Sequence, residues 1–227
     1  MELTAAEDEW RGAKPSFGGA ALLSAMLFCG ACSHIPQQSP AAISPLAPYT
    51  ASIQIRATAH GRGALLSAGC AVDPASGARV EIRDNMGGTR LLVLLKPSSA
   101  LLFNPDSGES ARWSELDSSL PWSPLDLWTL LAATPPPHGE SIKYDNSGRL
   151  AACEWRGAGG GRRARFVRST GGFPYASAMV DGPMGARLTV EWRKADFGAI
   201  PAEVLAGPPG AGTEAVSASS LLDGLLP

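Results

Sequence analysis

From residue 51 onward, apolar and polar positions alternate with a period of two. In "ASIQIRATAH", Ile53 and Ile55 alternate with Gln54 and Arg56, and in "ARVEIRD", Val80 and Ile82 alternate with Arg79, Glu81 and Arg83. Such alternation predicts strands with one face buried. "GALLSAGCAV", "ALLFNPDSGESARW", "ESIKYDNSGRLAACEW", "GRRARFVRS", "FPYASAMVD" and "ARLTVEWRK" extend the series, with turn residues between them. "TRLLVLLKP" is apolar on both faces, which predicts a central or helix-covered strand. The pattern as a whole predicts a mainly β domain, an antiparallel sheet or barrel of about ten strands.

One segment breaks the rhythm. "LPWSPLDLWTLLAAT" spaces Leu125, Trp128 and Leu131 about one helical turn apart, and Leu127 and Leu130 widen the stripe. Ser123 is a good N-cap, Pro124 a good first helical residue, and Pro135 to Pro137 end the helix. A single apolar helix over 123–133 in a β chain reads as a gate, or as a cap on the core.

The two ends differ from this body. Arg11 and Lys14 precede the uncharged run from Gly18 to Phe28, and the small residues Gly30 and Ala31 then lead to Cys32. That order is the layout of a secretory signal peptide. A cysteine directly after small residues resembles the lipobox of bacterial lipoproteins. The resemblance implies that Cys32 is acylated and becomes the first residue of the mature chain. Ser33 at the next position implies an outer-membrane, periplasm-facing location. Two departures stand beside it: Cys29 occupies the usual leucine position, and Glu2, Glu7, Asp8 and Glu9 make the start acidic. Other readings of Cys29-x-x-Cys32 are a thioredoxin-type pair, a zinc half-site or a plain signal peptide. A Pro-rich run follows in place of the helix that a redox motif needs, and no second pair completes a zinc site. The expected divisions are a signal peptide over 1–31, a flexible tether over 32–50, one domain over 51–207 and a mobile tail over 208–227. The tail includes a short helix near Ser220–Leu226.

An anchored cysteine, a tether, a strand meander and a mid-chain helix together resemble the lipoprotein carrier and receptor superfamily (LolA/LolB-like). "TASIQIRATAHGRGALLSAGCAV" resembles its opening strands, "LPWSPLDLWTLLAA" its embedded helix, and "LTVEWRKADFGAIPAEVLAGPPGAG" its last strand and Pro-rich exit. The resemblance implies an incompletely closed antiparallel β-barrel over helices, with an apolar cavity for acyl chains. Receptors of the family also carry a projecting apolar loop.

Composition narrows the chemistry. The formal charge of −2 on 227 residues gives no field for nucleic acid. His60 and His138 are the only candidate bases in the domain, no Gly-x-Ser-x-Gly elbow is present, and no His/Asp/Glu cluster has metal-ligand spacing. No cofactor or catalytic site is expected. "RGAGGGRRARFVR" lacks the Lys-Ser/Thr of a phosphate loop. It reads as a hairpin tip whose arginines are either solvated or a basic patch for headgroups or an acidic partner. Cys70 and Cys153 lie in apolar strands, as one disulfide or as two free core thiols. The expected function is a non-enzymatic, membrane-anchored module that holds a lipid or acyl chain, with Phe103, Leu125, Trp128 and Leu131 as its walls. The alternative is a structural envelope lipoprotein whose filled barrel docks a protein partner.

Overall fold

The computed structural model describes residues 43, 45–117, 120–157, 159–208 and 216–223. The expected signal peptide and Cys32 lie outside the described residues, as does most of the expected tether.

Eleven strands form one antiparallel sheet. In chain order they are β1 (Tyr49–Ala59), β2 (Arg62–Asp73), β3 (Gly77–Arg83), β4 (Thr89–Lys96), β5 (Ser99–Phe103), β6 (Ser110–Ser114), β7 (Ser141–Tyr144), β8 (Leu150–Gly157), β9 (Gly160–Arg168), β10 (Tyr175–Asp181) and β11 (Arg187–Phe197). The order across the sheet is β6-β5-β4-β3-β2-β1-β11-β10-β9-β8-β7. β6 and β7 are thus opposite ends, and the sheet is an open barrel.

Period-two patterning sets the curved inner face. Ile53, Ile55 and Ala57 are buried on β1, while Thr50, Ser52 and Arg56 face out. Ala68, Cys70 and Val72 on β2, and Ala78, Val80 and Ile82 on β3, continue that face. On β4, Leu92 is buried as well as Leu91 and Val93, in line with its two-sided apolar pattern. His60 and Gly61 join β1 to β2 with φ of 51° and 77°. This is the two-residue turn whose left-handed backbone matches strand twist.

The segment joining the two sheet ends carries α1 (Pro124–Ala132). Its N-cap is reciprocal. The Ser123 N–H donates to Asp126 Oδ2 at 2.7 Å, and the Asp126 N–H donates to Ser123 Oγ at 3.4 Å. Every helical residue except Leu125 is buried, and Thr129, Leu130 and Leu131 are completely so. The far end is tied down by Tyr49, whose hydroxyl donates to the Leu131 carbonyl at 2.8 Å and accepts the Trp192 indole N–H. Tyr49 and Trp192 belong to an aromatic cluster with Phe173, Tyr175 and Phe197. The helix is therefore the middle of the core rather than a surface cover.

Two short helices follow the sheet, α2 (Ala202–Leu205) and α3 (Ala218–Asp223). α3 falls in the expected tail, yet Ala218 is buried and Leu221 and Leu222 pack on the core. The Val216 N–H donates to the Ser110 carbonyl on β6 at 3.0 Å, which attaches this segment to that sheet end.

Candidate functional site: an apolar cavity under the open sheet

Between the inner face and the α1 segment lies a cavity of about 70 Å³. Its sheet wall includes Ile55, Ala57, Leu66, Ile82, Val93, Leu102, Trp113 and Leu188, and its cover is Leu120, Trp122, Leu127 and Leu222. All twelve residues are apolar. Alternation along seven strands turns these side chains to one side, and the chain's return through the half-barrel supplies the cover.

None of the four residues expected as ligand walls lines this cavity. Phe103 is on β5 directly after Leu102. Leu102 is fully buried and faces inward, so its neighbour faces out. Trp128 and Leu131 are core residues at 4% and 0% exposure, and Leu125 is half-buried on the one open helical position. The helix turns Leu127 toward the cavity instead.

Cys70 and Cys153 are free, buried thiols, so the single disulfide that the sequence permits is not formed. Cys70 is on β2 and Cys153 on β8, with β1, β11, β10 and β9 between them in the sheet. Burial pushes each thiol up to about 12, which keeps it protonated and unreactive.

The arginine-rich hairpin is not a free cationic patch. Arg156 faces Glu140 at 3.0 Å, Arg163 faces Glu154 at 3.2 Å, Arg165 faces Asp181 at 2.5 Å, and Arg168 faces Asp145 at 2.8 Å. Arg162 differs from these exposed pairs. It is buried on β9, with Nε 3.2 Å from Asp126 Oδ1. That contact pairs two opposite charges in a buried setting. Arg162 Nη1 also donates to the Pro121 carbonyl at 2.9 Å. Gly182 leaves it room, because a Cβ there would lie 2.6 Å from Nη1. Burial raises the Asp126 carboxyl to about 6, against the opposing pull of Arg162 and the Ser123 hydrogen bonds. The pair fixes the start of α1, and with it Trp122 and Leu127, over the cavity. Sequence reading missed it because a charged residue at N3 of a helix and one on a hairpin are usually solvated.

The fold and site together define an open antiparallel half-barrel closed over a buried helix. No protein-family model matches the chain. No curated protein matches it. Among solved structures, it is similar to a LolA superfamily protein from Nitrosomonas europaea, with 14% identity, 73% of this chain and 92% of that chain covered, and a TM-score of 0.48. It is also similar to a putative outer membrane lipoprotein-sorting protein domain from Vibrio parahaemolyticus, with 10% identity, 70% and 89% covered, and a TM-score of 0.47. A third likeness is to a DUF1329 family protein from Desulfovibrio piger, with 10% identity, 70% and 90% covered, and a TM-score of 0.46.

Proposed function

We propose that this chain is a non-enzymatic binding module of the cell envelope that takes a lipid or acyl chain into its half-barrel. The observation that carries the reading is the cavity, whose wall is wholly apolar. Each methylene moved into it from water contributes about 0.8 kcal/mol. Two apolar turn tips add support. Met86 between β3 and β4 is 94% exposed, and Met184 between β10 and β11 is 77% exposed. Strand order brings both turns to the same end of the sheet, one on each side of the His60-Gly61 turn. Such tips suit contact with a membrane surface.

Ala57→Leu tests this reading, because it adds three carbons at the cavity wall. It is expected to weaken binding of a fluorescent fatty-acyl probe at least tenfold without lowering the thermal midpoint. Unchanged binding in a folded variant would remove the cavity from the function.

The anchor belongs to the same proposal. Intact mass of membrane-extracted protein is expected to show a chain that begins at Cys32 and carries acyl mass, and Cys32→Ser should lose that mass. A chain that retains residues 1–31 unmodified would sink the anchor.

The second reading, a filled barrel that docks an envelope partner, draws on the cavity's size. About 70 Å³ is well below the roughly 300–1,000 Å³ of ordinary ligand pockets. The two readings part on whether the interior can open.

A further inference from the structure

The outer face of the sheet carries a second hollow, on the side away from the apolar cavity. It is a groove of about 450 Å³, inside the roughly 300–1,000 Å³ range of ordinary ligand pockets. Its floor is made of small residues in two paired rows, Thr50 beside Ala71 and Ser52 beside Gly69. Parity puts them outside, because Ile53 on β1 and Cys70 on β2 are buried on the inner face. Longer charged side chains stand on both flanks, Arg79, Glu81 and Arg83 on β3 and Lys194 and Asp196 on β11. Three cations against two carboxylates leave the lining net positive.

These charges are not equally engaged. Arg79 is spent, with Nη2 2.8 Å from Glu81 Oε1 and Nη1 donating to the Val204 carbonyl of α2 at 3.4 Å. Arg83 stands 3.6 Å from Glu81 Oε2, and Lys194 stands 3.7 Å from Asp196 Oδ2. Both separations exceed hydrogen-bond distance, and among the described residues no nearer carboxylate faces either cation. The two belong to one row across the sheet. Lys194 pairs with Ser52, Ser52 pairs with Gly69, and the Arg83 guanidinium lies over Gly69, where a Cβ would sit 2.8 Å from Nη2. Neighbouring strands are about 4.8 Å apart, so long side chains from the two flanks can meet over Ser52. A guanidinium fork, an ammonium and a hydroxyl on one small-residue floor suit a tetrahedral oxyanion, whose several oxygens accept from all three.

We infer that this groove binds a phosphate group, held by Arg83, Lys194 and the Ser52 hydroxyl over Gly69. The site goes beyond the acyl-binding reading and does not depend on it, since the sheet lies between the two hollows.

The test titrates the full chain with inorganic phosphate, against sodium chloride at matched ionic strength, and follows the amide signals of Ser52 and Gly69 by NMR. Saturable shifts with phosphate alone are expected. Arg83→Gln should weaken binding about tenfold, the scale of one hydrogen bond to a charged group. Gly69→Ala keeps every charge, but its Cβ pushes the guanidinium off the floor, and it should weaken binding several-fold. Arg112→Gln removes one charge from an exposed position on β6 and should leave binding as it was. Circular dichroism confirms that each variant is folded. No saturation in the unmodified chain, equal losses in Arg83→Gln and Arg112→Gln, or full binding by folded Gly69→Ala would each overturn the site. Two further probes separate the sources of the phosphate. Arg83-dependent sedimentation with phosphatidic acid vesicles marks a lipid headgroup, and binding of glycerol phosphate without such sedimentation marks a soluble phosphomonoester. Arg83→Gln should bind a fluorescent fatty-acyl probe as the unmodified chain does, so failure of the groove and failure of the cavity are read separately.

Discussion

Arg162→Met should lower the unfolding free energy by about 3–5 kcal/mol at pH 7, the usual loss when one member of a buried ion pair is removed. The reason is the partner left behind. Asp126 is completely buried on α1, and the substitution strips away the cation that faces its Oδ1 at 3.2 Å. The Pro121 carbonyl loses a donor in the same step. The sign of the pH dependence follows from Asp126. Its folded value is raised from 3.8 to about 6, so the folded state binds the extra proton between those limits. This group's contribution to stability is full below 3.8 and declines as pH rises through about 6. Without Arg162 the carboxyl rises further, so the loss should shrink between pH 7 and pH 5. Adding Asp126→Asn keeps an acceptor for the Ser123 N–H and removes the charge, and should recover about half of the loss at pH 7. Urea unfolding of the three proteins at both pH values measures this. A loss below about 1 kcal/mol at pH 7, or one that does not change with pH, would show that the pair does not hold the helix.

Much of this architecture is legible in the chain. Alternation at Ile53 and Ile55, and at Val80 and Ile82, marks strands because a pleated chain turns successive side chains to opposite faces. The Ser123-Pro124 start marks α1 because the capping chemistry is local. Contacts set by closure of the sheet are not legible in this way. Leu125, Trp128 and Leu131 form a sound helical stripe, yet this helix is buried almost all round. A stripe cannot tell which residue meets a cavity, and that residue proved to be Leu127. Phe103 would have been excluded by its parity with the inward Leu102. Leu222 stood in a Gly-, Pro- and Ser-rich stretch that carries no core pattern, and it reaches the wall only because the chain returns to the β6 end of the sheet. Arg162 and Asp126 lie far apart in sequence, and no spacing rule pairs them.

The same geometry sets a contrast between two leucines four residues apart. Leu131→Ala should cost about 3–5 kcal/mol, because Leu131 is fully buried in close-packed core and its neighbours can fill little of the space left. Leu127→Ala should cost less, about 2–3 kcal/mol, since its side chain borders a void already and makes fewer contacts on that side. The effects on binding should run the other way. Removing the Leu127 side chain joins its volume to the existing 70 Å³, so an acyl probe should bind more tightly. Removing Leu131 opens space on a helical position that does not border the cavity, so probe binding by folded molecules should stay as it was. Denaturant unfolding and probe titration on both variants give the four quantities. If Leu131→Ala altered binding more than Leu127→Ala, the ligand would reach the helix from the side of Trp128 and Leu131. The cavity beneath Leu127 would then be a packing gap, and the sheet's inner face would be support rather than site.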